Sequence, residues 1–359
     1  MEDVTTIKVS CLCRSFHTSL SVPTSSLPLA AVLCHCNECR HVSGVLCASY
    51  AILPFPHASV TELLKYDTSD NGTRMFCGSC GAHVFGHLKA QDLWLLATGV
   101  LEGSADLLRF KAHSWVGDTQ DGGLSTWLPK LAGHEMVRYN QGSQPGHLFQ
   151  PPAPSKSETK PGNGEGTAQL AARCYCGGVQ FHITRPNESS KHASSPWPDL
   201  LAPHHTASPA NPTDVKWWLR THETKYFAGL CTCASCRLAS GFDVAAWAFV
   251  PRVNILQDGS GTPLDFAKPM GTLRRYESSK GTYREFCATC GATVFWHSDE
   301  RPEVIDVSVG LLEAGSGARA EEWLDWCTDR VSFAEDARDK VLVQGLVEGL
   351  RAWDEERES

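Results

Sequence analysis

Three cysteines crowd into six residues at "LCHCNECRHVSG", Leu33 to Gly44: Cys34, Cys36 and Cys39. The same spacing returns at "LCTCASCRLASG", Leu230 to Gly241, with Cys231, Cys233 and Cys236. Three thiolates on one short loop can hold one metal ion and leave a coordination place open, and an open place marks a zinc site that meets a ligand. Thiolates are soft donors, so a further thiol suits the vacancy. The fourth place could instead be filled for good, by Cys47, His35 or His41. The second copy carries Val244, Thr232 and Leu238 at those positions, so no shared four-ligand pattern shows. Arg40 and Arg237 follow the two triplets directly. Each is either an ordinary surface charge or a guanidinium that pairs with a substrate carboxylate.

Other cysteines complete the pattern. Cys11-x-Cys13 and Cys77-x-x-Cys80 bracket the first triplet, and Cys174-x-Cys176 and Cys287-x-x-Cys290 bracket the second. A CxxC turn followed by glycine gathers two sulfurs under backbone N–H groups. Such a knuckle supplies two ligands of four, and the CxC pair of the same copy is its natural complement. The sets Cys11, Cys13, Cys77, Cys80 and Cys174, Cys176, Cys287, Cys290 therefore read as closed, structural zinc sites. A redox CxxC would open a helix after a strand, whereas strand-like residues follow each knuckle here.

The cysteines thus repeat as a set of seven, fourteen of the sixteen in the chain. The flanks repeat as well. "RMFCGSCGAHVFGH" (Arg74 to His87) matches "REFCATCGATVFWH" (Arg284 to His297), and "LLATGVLEG" (Leu95 to Gly103) resembles "DVSVGLLEA" (Asp306 to Ala314). A period near 180 residues is a tandem domain pair rather than a solenoid. The expected organisation is a first zinc domain over 1–139, a flexible linker over 140–169 rich in Pro, Gly and Ser, and a second zinc domain over 170–359. The second copy carries an extra Ser-, Pro- and His-rich stretch, 185–214, expected as an insertion loop. Its His192, His204 and His205 are either solvated or metal-binding.

The elements that must position these residues are short strands. "VQFHIT", "AAWAFV", "ATVFWH" and "VIDVSVG" are β-branched and aromatic runs bounded by turn residues. The last 28 residues show helical spacing at Val341, Leu342, Leu346 and Leu350, with Ser332 and Glu335 as a candidate capping pair. Gly345 and Gly349 weaken that helix. "HSWVGDTQDGGLSTWLP" (His113 to Pro129) is either a lid over the first triplet or a turn that packs its tryptophans between the copies. "EEWLDWCTDRVSF" (Glu321 to Phe333) is its candidate counterpart, with Cys327 as a small apolar filler.

Composition bounds the function. The chain has 359 residues, 42% hydrophobic and 20% charged, as in a soluble globular protein. A formal net charge of −8 argues against a generic nucleic-acid surface. No apolar run reaches the roughly 18 residues of a membrane span, and the acidic start is unlike a signal peptide. Cysteine-rich but motif-ordered, the chain fits a reducing compartment, cytoplasmic or nuclear. Oligomeric state is not encoded in any of these features.

The order CxC, CxCxxCR with a nearby glycine, then CxxCG and an apolar strand resembles the glutathione-dependent formaldehyde-activating enzyme and centromere protein V family, in both copies. "CYCGGVQFHI" (Cys174 to Ile183) has the glycines that the family shows after CxC. "CLCRSFHTSL" (Cys11 to Leu20) lacks them, which leaves its opening strand in question. The resemblance implies a mainly β fold of two tandem tent-like zinc domains, here with a short C-terminal helix. It implies one structural zinc and one three-cysteine zinc per domain, up to four per chain. It further implies carbon–sulfur lyase chemistry run as addition, with glutathione as the thiol and formaldehyde or a related small aldehyde as partner at Cys34, Cys36, Cys39, Cys231, Cys233 and Cys236. The competing expectation is a zinc-stabilised binding module without turnover, since centromere protein V shares the domain and is associated with chromatin.

Overall fold

The structure is a computed structural model that describes residues 3–54, 60–143, 147–150, 169–257 and 261–358. In the first copy β1 (Val4–Ser10) and β2 (His17–Pro23) form a hairpin. Ile7, Val9, Leu20 and Val22 alternate with exposed residues along it and bury one face, as a half-buried hairpin requires. Then follow β3 (Leu29–Cys34), helix α1 (Asn37–Ser43), β4 (Ala48–Leu53), β5 (Leu64–Asp67), β6 (Gly72–Phe76), β7 (His83–Leu88), β8 (Leu93–Ala97) and β9 (Leu108–Ser114). Three two-residue strands close the copy: β10 (Lys130–Leu131), β11 (His134–Glu135) and β12 (Val137–Arg138). The large sheet runs β12-β9-β3-β4-β8-β7-β6-β5.

The second copy repeats this plan. Its elements are β13 (Gln169–Arg173), β14 (Gln180–Thr184), β15 (Leu219–Arg220), β16 (Lys225–Cys231), helix α2 (Ala234–Ser240), β17 (Ala245–Pro251), β18 (Ile255–Gln257), β19 (Thr262–Pro263), β20 (Leu273–Ser279), β21 (Thr282–Cys287), β22 (Thr293–Ser298), β23 (Arg301–Ser308) and β24 (Leu324–Trp326). Its large sheet runs β15-β16-β17-β23-β22-β21-β20, with β24 parallel to β16 as β9 is to β3. The hairpin β13-β14 is widened by β18 and β19. The chain is mainly β, with two repeated sheet-rich halves and a C-terminal helix α3 (Lys340–Glu358).

The two copies face each other across a reciprocal contact. Gly44 ends α1 at φ 82°, and a Cβ there would lie 2.0 Å from the carbonyl oxygen of Thr293. Gly241 ends α2 at φ 90°, where a Cβ would lie 2.1 Å from the carbonyl of His83. The amide of Gly310 donates to the Gly44 carbonyl (3.0 Å), and that of Gly99 to the Gly241 carbonyl (2.8 Å). The paired sequence matches Gly44/Gly241 and Gly99/Gly310 thus meet as a self-complementary patch, the arrangement of a two-fold dimer fused into one chain. One apolar core, including Val42, Val45, Phe242 and Val309, runs through both halves.

Several local expectations change. Helix α3 starts at Lys340 and not near Ser332: the Asp339 carboxylate accepts from the Leu342 amide (2.9 Å), while Ser332 pairs its backbone with Leu230 and Glu335 pairs with Arg330. Val341 is exposed, and Val343 and Trp353 take their place on the buried face beside Leu342, Leu346 and Leu350. Gly349 does not break the helix but lets it approach the Trp127 carbonyl of the first copy. Trp127 is fully buried, 4.6 Å from Trp326 and 5.5 Å from Trp353, whereas Trp115 is exposed. Residues 185–214 are built into the fold: Asp199 is buried and accepts from Arg330 and the Phe333 amide, and Leu200 joins an apolar cluster. Most of the expected linker, residues 144–146 and 151–168, lies outside the described residues. Among the described residues no helix is long and apolar enough to cross a membrane.

The opening hairpin forms in the first copy despite its missing glycines. Arg14 takes φ 59° where the second copy places Gly177 at φ 71°. A non-glycine residue in this region costs on the order of 1–3 kcal/mol. Arg14 is exposed, so Arg14→Gly is expected to raise stability by about 1 kcal/mol, read as a higher denaturant midpoint of the reduced protein. An unchanged or lower midpoint would show that the turn carries no such strain.

Candidate metal centres

Each closed set is assembled from two turns. The β1-β2 turn presents Cys11 and Cys13, and the β6-β7 turn presents Cys77 and Cys80. Cys13 Sγ lies 3.5 Å from Cys11 Sγ and 3.6 Å from Cys77 Sγ. Ser15 Oγ sits 3.0 Å from Cys13 and 3.2 Å from Cys77, and the Phe16 amide donates to Cys11 Sγ (3.4 Å). In the second copy Cys176 Sγ lies 3.4 Å from Cys174 Sγ and 3.5 Å from Cys287 Sγ. The Val179 and Gly178 amides donate to Cys174 and Cys176, and Thr272 Oγ1 lies 3.0 Å from Cys287. The four sulfurs of each set lie within 4.8 Å of one another. A tetrahedral zinc with Zn–S near 2.3 Å sets sulfurs about 3.8 Å apart, so the spacing fits that ion. All sixteen cysteines are free thiols, which removes a disulfide account of these contacts.

The three-cysteine sets are built by a strand end and a helix start. Strand β3 delivers Cys34, and the next turn makes Cys36 the N-cap of α1, its Sγ accepting from the Cys39 amide (3.3 Å). Cys34 and Cys36 Sγ are 3.5 Å apart. Strand β16 and α2 repeat this, with Cys233 capping and accepting from the Cys236 amide (3.2 Å). The two caps share φ −60° and ψ 151°. The residue between the first two cysteines is tied down in both copies, His35 N–H to the Ser114 carbonyl and Thr232 N–H to that of Ser332. The segments around Ser114 and Ser332 are therefore counterparts, and both steady the cysteine loop.

None of the alternative fourth ligands joins the first triplet. Among the described residues, the metal-capable groups that lie within 4.8 Å of one another stop at Cys34, Cys36 and Cys39, and at Cys231, Cys233 and Cys236. His35 Nε2 bonds to His113 Nδ1 (2.9 Å), Cys47 Sγ sits 3.5 Å from the same His35 nitrogen, and His41 Nδ1 faces the Arg173 carbonyl (2.9 Å). The histidines at 192, 204 and 205 belong to no such group.

Two buried arginines missed by the sequence reading face these triplets. Arg74 donates to Glu38 (2.7 Å) and to Cys39 Sγ (3.4 Å), with its guanidinium over the Tyr50 ring. Arg284 donates to Ser235 Oγ (2.8 Å) and approaches Cys236 Sγ at 3.6 and 3.7 Å. Bonds from Cys34 and Cys36, followed by the charge of Arg74, hold the Cys39 thiol well below its ordinary value. Cys236 is lowered in the same way by Cys231, Cys233 and then Arg284. A signal was present: both copies read Arg-x-Phe running into the CxxC knuckle, so the same charge recurs at the same place beside a metal-ligating turn.

The arginines after the triplets diverge. Arg237 Nη1 donates to the carbonyls of Gly99 and Leu101 in the other copy. Among the described residues the Arg40 side chain donates only to Asn37 Oδ1 (2.7 Å), and its Nε and Nη1 are buried without a partner. The surroundings differ as well. Trp217, Trp247, Phe249 and Leu200 wall the second triplet, while polar His35 and His113 border the first.

Outer partners of a metal ligand are commonly worth 10–100-fold in metal affinity. Arg74→Met is therefore expected to make one zinc in four leave early in a chelator competition. Loss of two, or of none, would remove Arg74 from its role beside Cys39.

No curated protein matches this chain. The sequence profile of the family described as "Glutathione-dependent formaldehyde-activating enzyme" matches twice, over residues 6–118 and 215–329; the first match takes in all seven cysteines of the first copy's set, and the second takes in the triplet and the Cys287/Cys290 knuckle but not Cys174 and Cys176. With well over half of its length matched, the chain belongs to the glutathione-dependent formaldehyde-activating enzyme family, as a tandem pair of its domains.

Proposed function

We propose that the chain is a zinc-binding carbon–sulfur lyase-type enzyme that adds a thiol such as glutathione to formaldehyde or a related small aldehyde. The observation that supports this most is the set of three sulfurs without a fourth protein ligand, present in each copy and backed by a buried arginine. Cys34, Cys36 and Cys39, and Cys231, Cys233 and Cys236, would hold the metal. Zinc at such a place lowers the pKa of a bound thiol and fixes its sulfur.

The protein's own share is positional. The Cys39 and Cys236 thiols are held low first by bonds from the other two cysteines of each triplet, and Arg74 and Arg284 add a positive charge beside them. The backbone bonds from His35 and Thr232 keep each loop from splaying. The closed sets pin each opening hairpin to the sheet behind the site. In the overall reaction the S–H proton passes to the aldehyde oxygen as the S–C bond forms, so no external reductant or oxidant is required. A thiolate is a strong enough nucleophile toward formaldehyde that a dedicated strong base is unnecessary.

Magnetisation-exchange NMR on glutathione and formaldehyde tests the reading. The zinc-loaded chain is expected to speed formation of S-hydroxymethylglutathione above the uncatalysed rate. The double variant Cys36→Ser, Cys233→Ser is expected to return it to background. Zinc bound in full without any acceleration would favour the binding-module reading instead.

A further inference from the structure

Helix α1 carries Cys39 and is capped by Cys36, and it has only seven residues. A helix that short is not stable alone, so whatever grips it decides how well the first triplet keeps its shape. One grip comes from the second copy, at the two residues that flank Cys174. His41 Nδ1 donates to the Arg173 carbonyl (2.9 Å), and the Tyr175 amide donates to the His41 carbonyl (3.0 Å).

Tyr175 reaches further. It stands between Cys174 and Cys176, two members of the second closed set. Its hydroxyl donates to the Thr68 carbonyl just past β5 (3.0 Å), and its ring meets that of Tyr66 edge-on at 6.4 Å. Tyr66 is paired across the β5-β6 ladder with Arg74, the arginine on Cys39. Tyr175 therefore bridges α1 and the sheet edge, two elements that Arg74 also joins through Glu38 and Cys39.

The reverse contact is built differently. Leu12 and Leu238 stand at the places of Tyr175 and His41. Neither side chain can hydrogen-bond, and among the described residues the Leu12 amide makes no bond to Leu238. Helix α2 is held across the interface by Arg237 instead, on the carbonyls of Gly99 and Leu101. Those residues lie between β8 and β9 and not on a metal-ligating turn.

The turn that grips α1 depends on metal. Cys174 and Cys176 Sγ lie 3.4 Å apart. Without a cation such sulfurs must stay protonated or repel, and the turn loses what fastens it. The Arg173 carbonyl and the Tyr175 amide lie on either side of Cys174 and follow its placement.

We propose that metal in the second copy's closed set holds the first copy's open centre in shape, with His41 and Tyr175 as the positioning residues, and that no equivalent link runs from the first closed set to the second triplet. A structural ion in one copy thereby sets the metal affinity of the open centre in the other. The coupling is reciprocal, so filling the first triplet also tightens the second closed set. It requires that the triplets hold metal and is independent of the reaction they carry.

Cadmium-113 serves as the probe, because it is a soft ion that thiolates hold and each bound ion gives its own NMR resonance. The reduced full chain is expected to show four resonances, one per sulfur cluster, with those of the triplets assigned by their loss in Cys36→Ser and Cys233→Ser. A chelator titration then follows each resonance. The double variant His41→Leu, Tyr175→Leu installs the residues of the reverse contact and removes the side-chain bonds to Arg173 and Thr68. It is expected to strip the first triplet at about tenfold lower chelator, while the second triplet and the first closed set keep their wild-type midpoints. Cys176→Ser is expected to displace the first triplet in the same direction, and Cys13→Ser to leave the second triplet where it is. A first-triplet midpoint unmoved by the double variant would overturn the coupling, as would a second-triplet midpoint displaced equally by Cys13→Ser. Should Cys176→Ser fail to fold, the double variant decides alone. Absence of the triplet resonances from the wild type would sink the open centres and the coupling together.

Discussion

Sulfur charge is the constraint on which this fold depends. Cys11 and Cys13 Sγ stand 3.5 Å apart, and all the sulfurs of each cluster lie within 4.8 Å of one another. Two thiolates at that separation repel by about 5 kcal/mol at an effective dielectric near 20. A four-sulfur set has six such pairs, so the clusters persist either as protonated thiols or around a cation. A zinc ion reverses the sign of the whole sum, and binding it becomes folding free energy. What it fastens is specific: in each copy the closed set joins the opening hairpin to a turn more than sixty residues away. The triplet is then left to be organised locally, by the end of one strand and the start of one short helix.

Duplication gave each half a partner of matching shape. The glycines that end α1 and α2 sit against the other copy's knuckle strand, where any Cβ would meet a carbonyl. The Gly99 and Gly310 amides seal the same contacts from the opposite side. Symmetry at this level coexists with divergence at the site. Asn37 against Ala234, Arg173 against Ser10 and Cys47 against Val244 all change the first triplet's surroundings, while the capping cysteines Cys36 and Cys233 keep the same φ and ψ.

Much of this was legible from residue order. The seven-cysteine repeat told of two copies, and the spacing separated closed sets from triplets, because ligand number follows directly from short-range chain geometry. Strands such as "AAWAFV" were legible because they are apolar on both faces and wholly buried. Less legible were features set by tertiary contact. Arg74 and Arg284 open two matching stretches of the repeat, but only the sheet shows that they turn toward Cys39 and Cys236. The cap of α3 lies at Asp339, since Ser332 is taken by the strand pairing that also steadies Thr232. Arg40 and Arg237 occupy one slot in the repeat, and only the interface shows that one is spent on carbonyls and the other is not.

The central claim is that each copy carries one closed and one open metal centre. Zinc content of the purified, reduced chain tests it most directly, measured for wild type beside Cys36→Ser and Cys233→Ser. The expected result is four zinc ions per wild-type chain, one for each sulfur cluster, and three in each variant. Two zinc ions in the wild type, unchanged by either substitution, would contradict it.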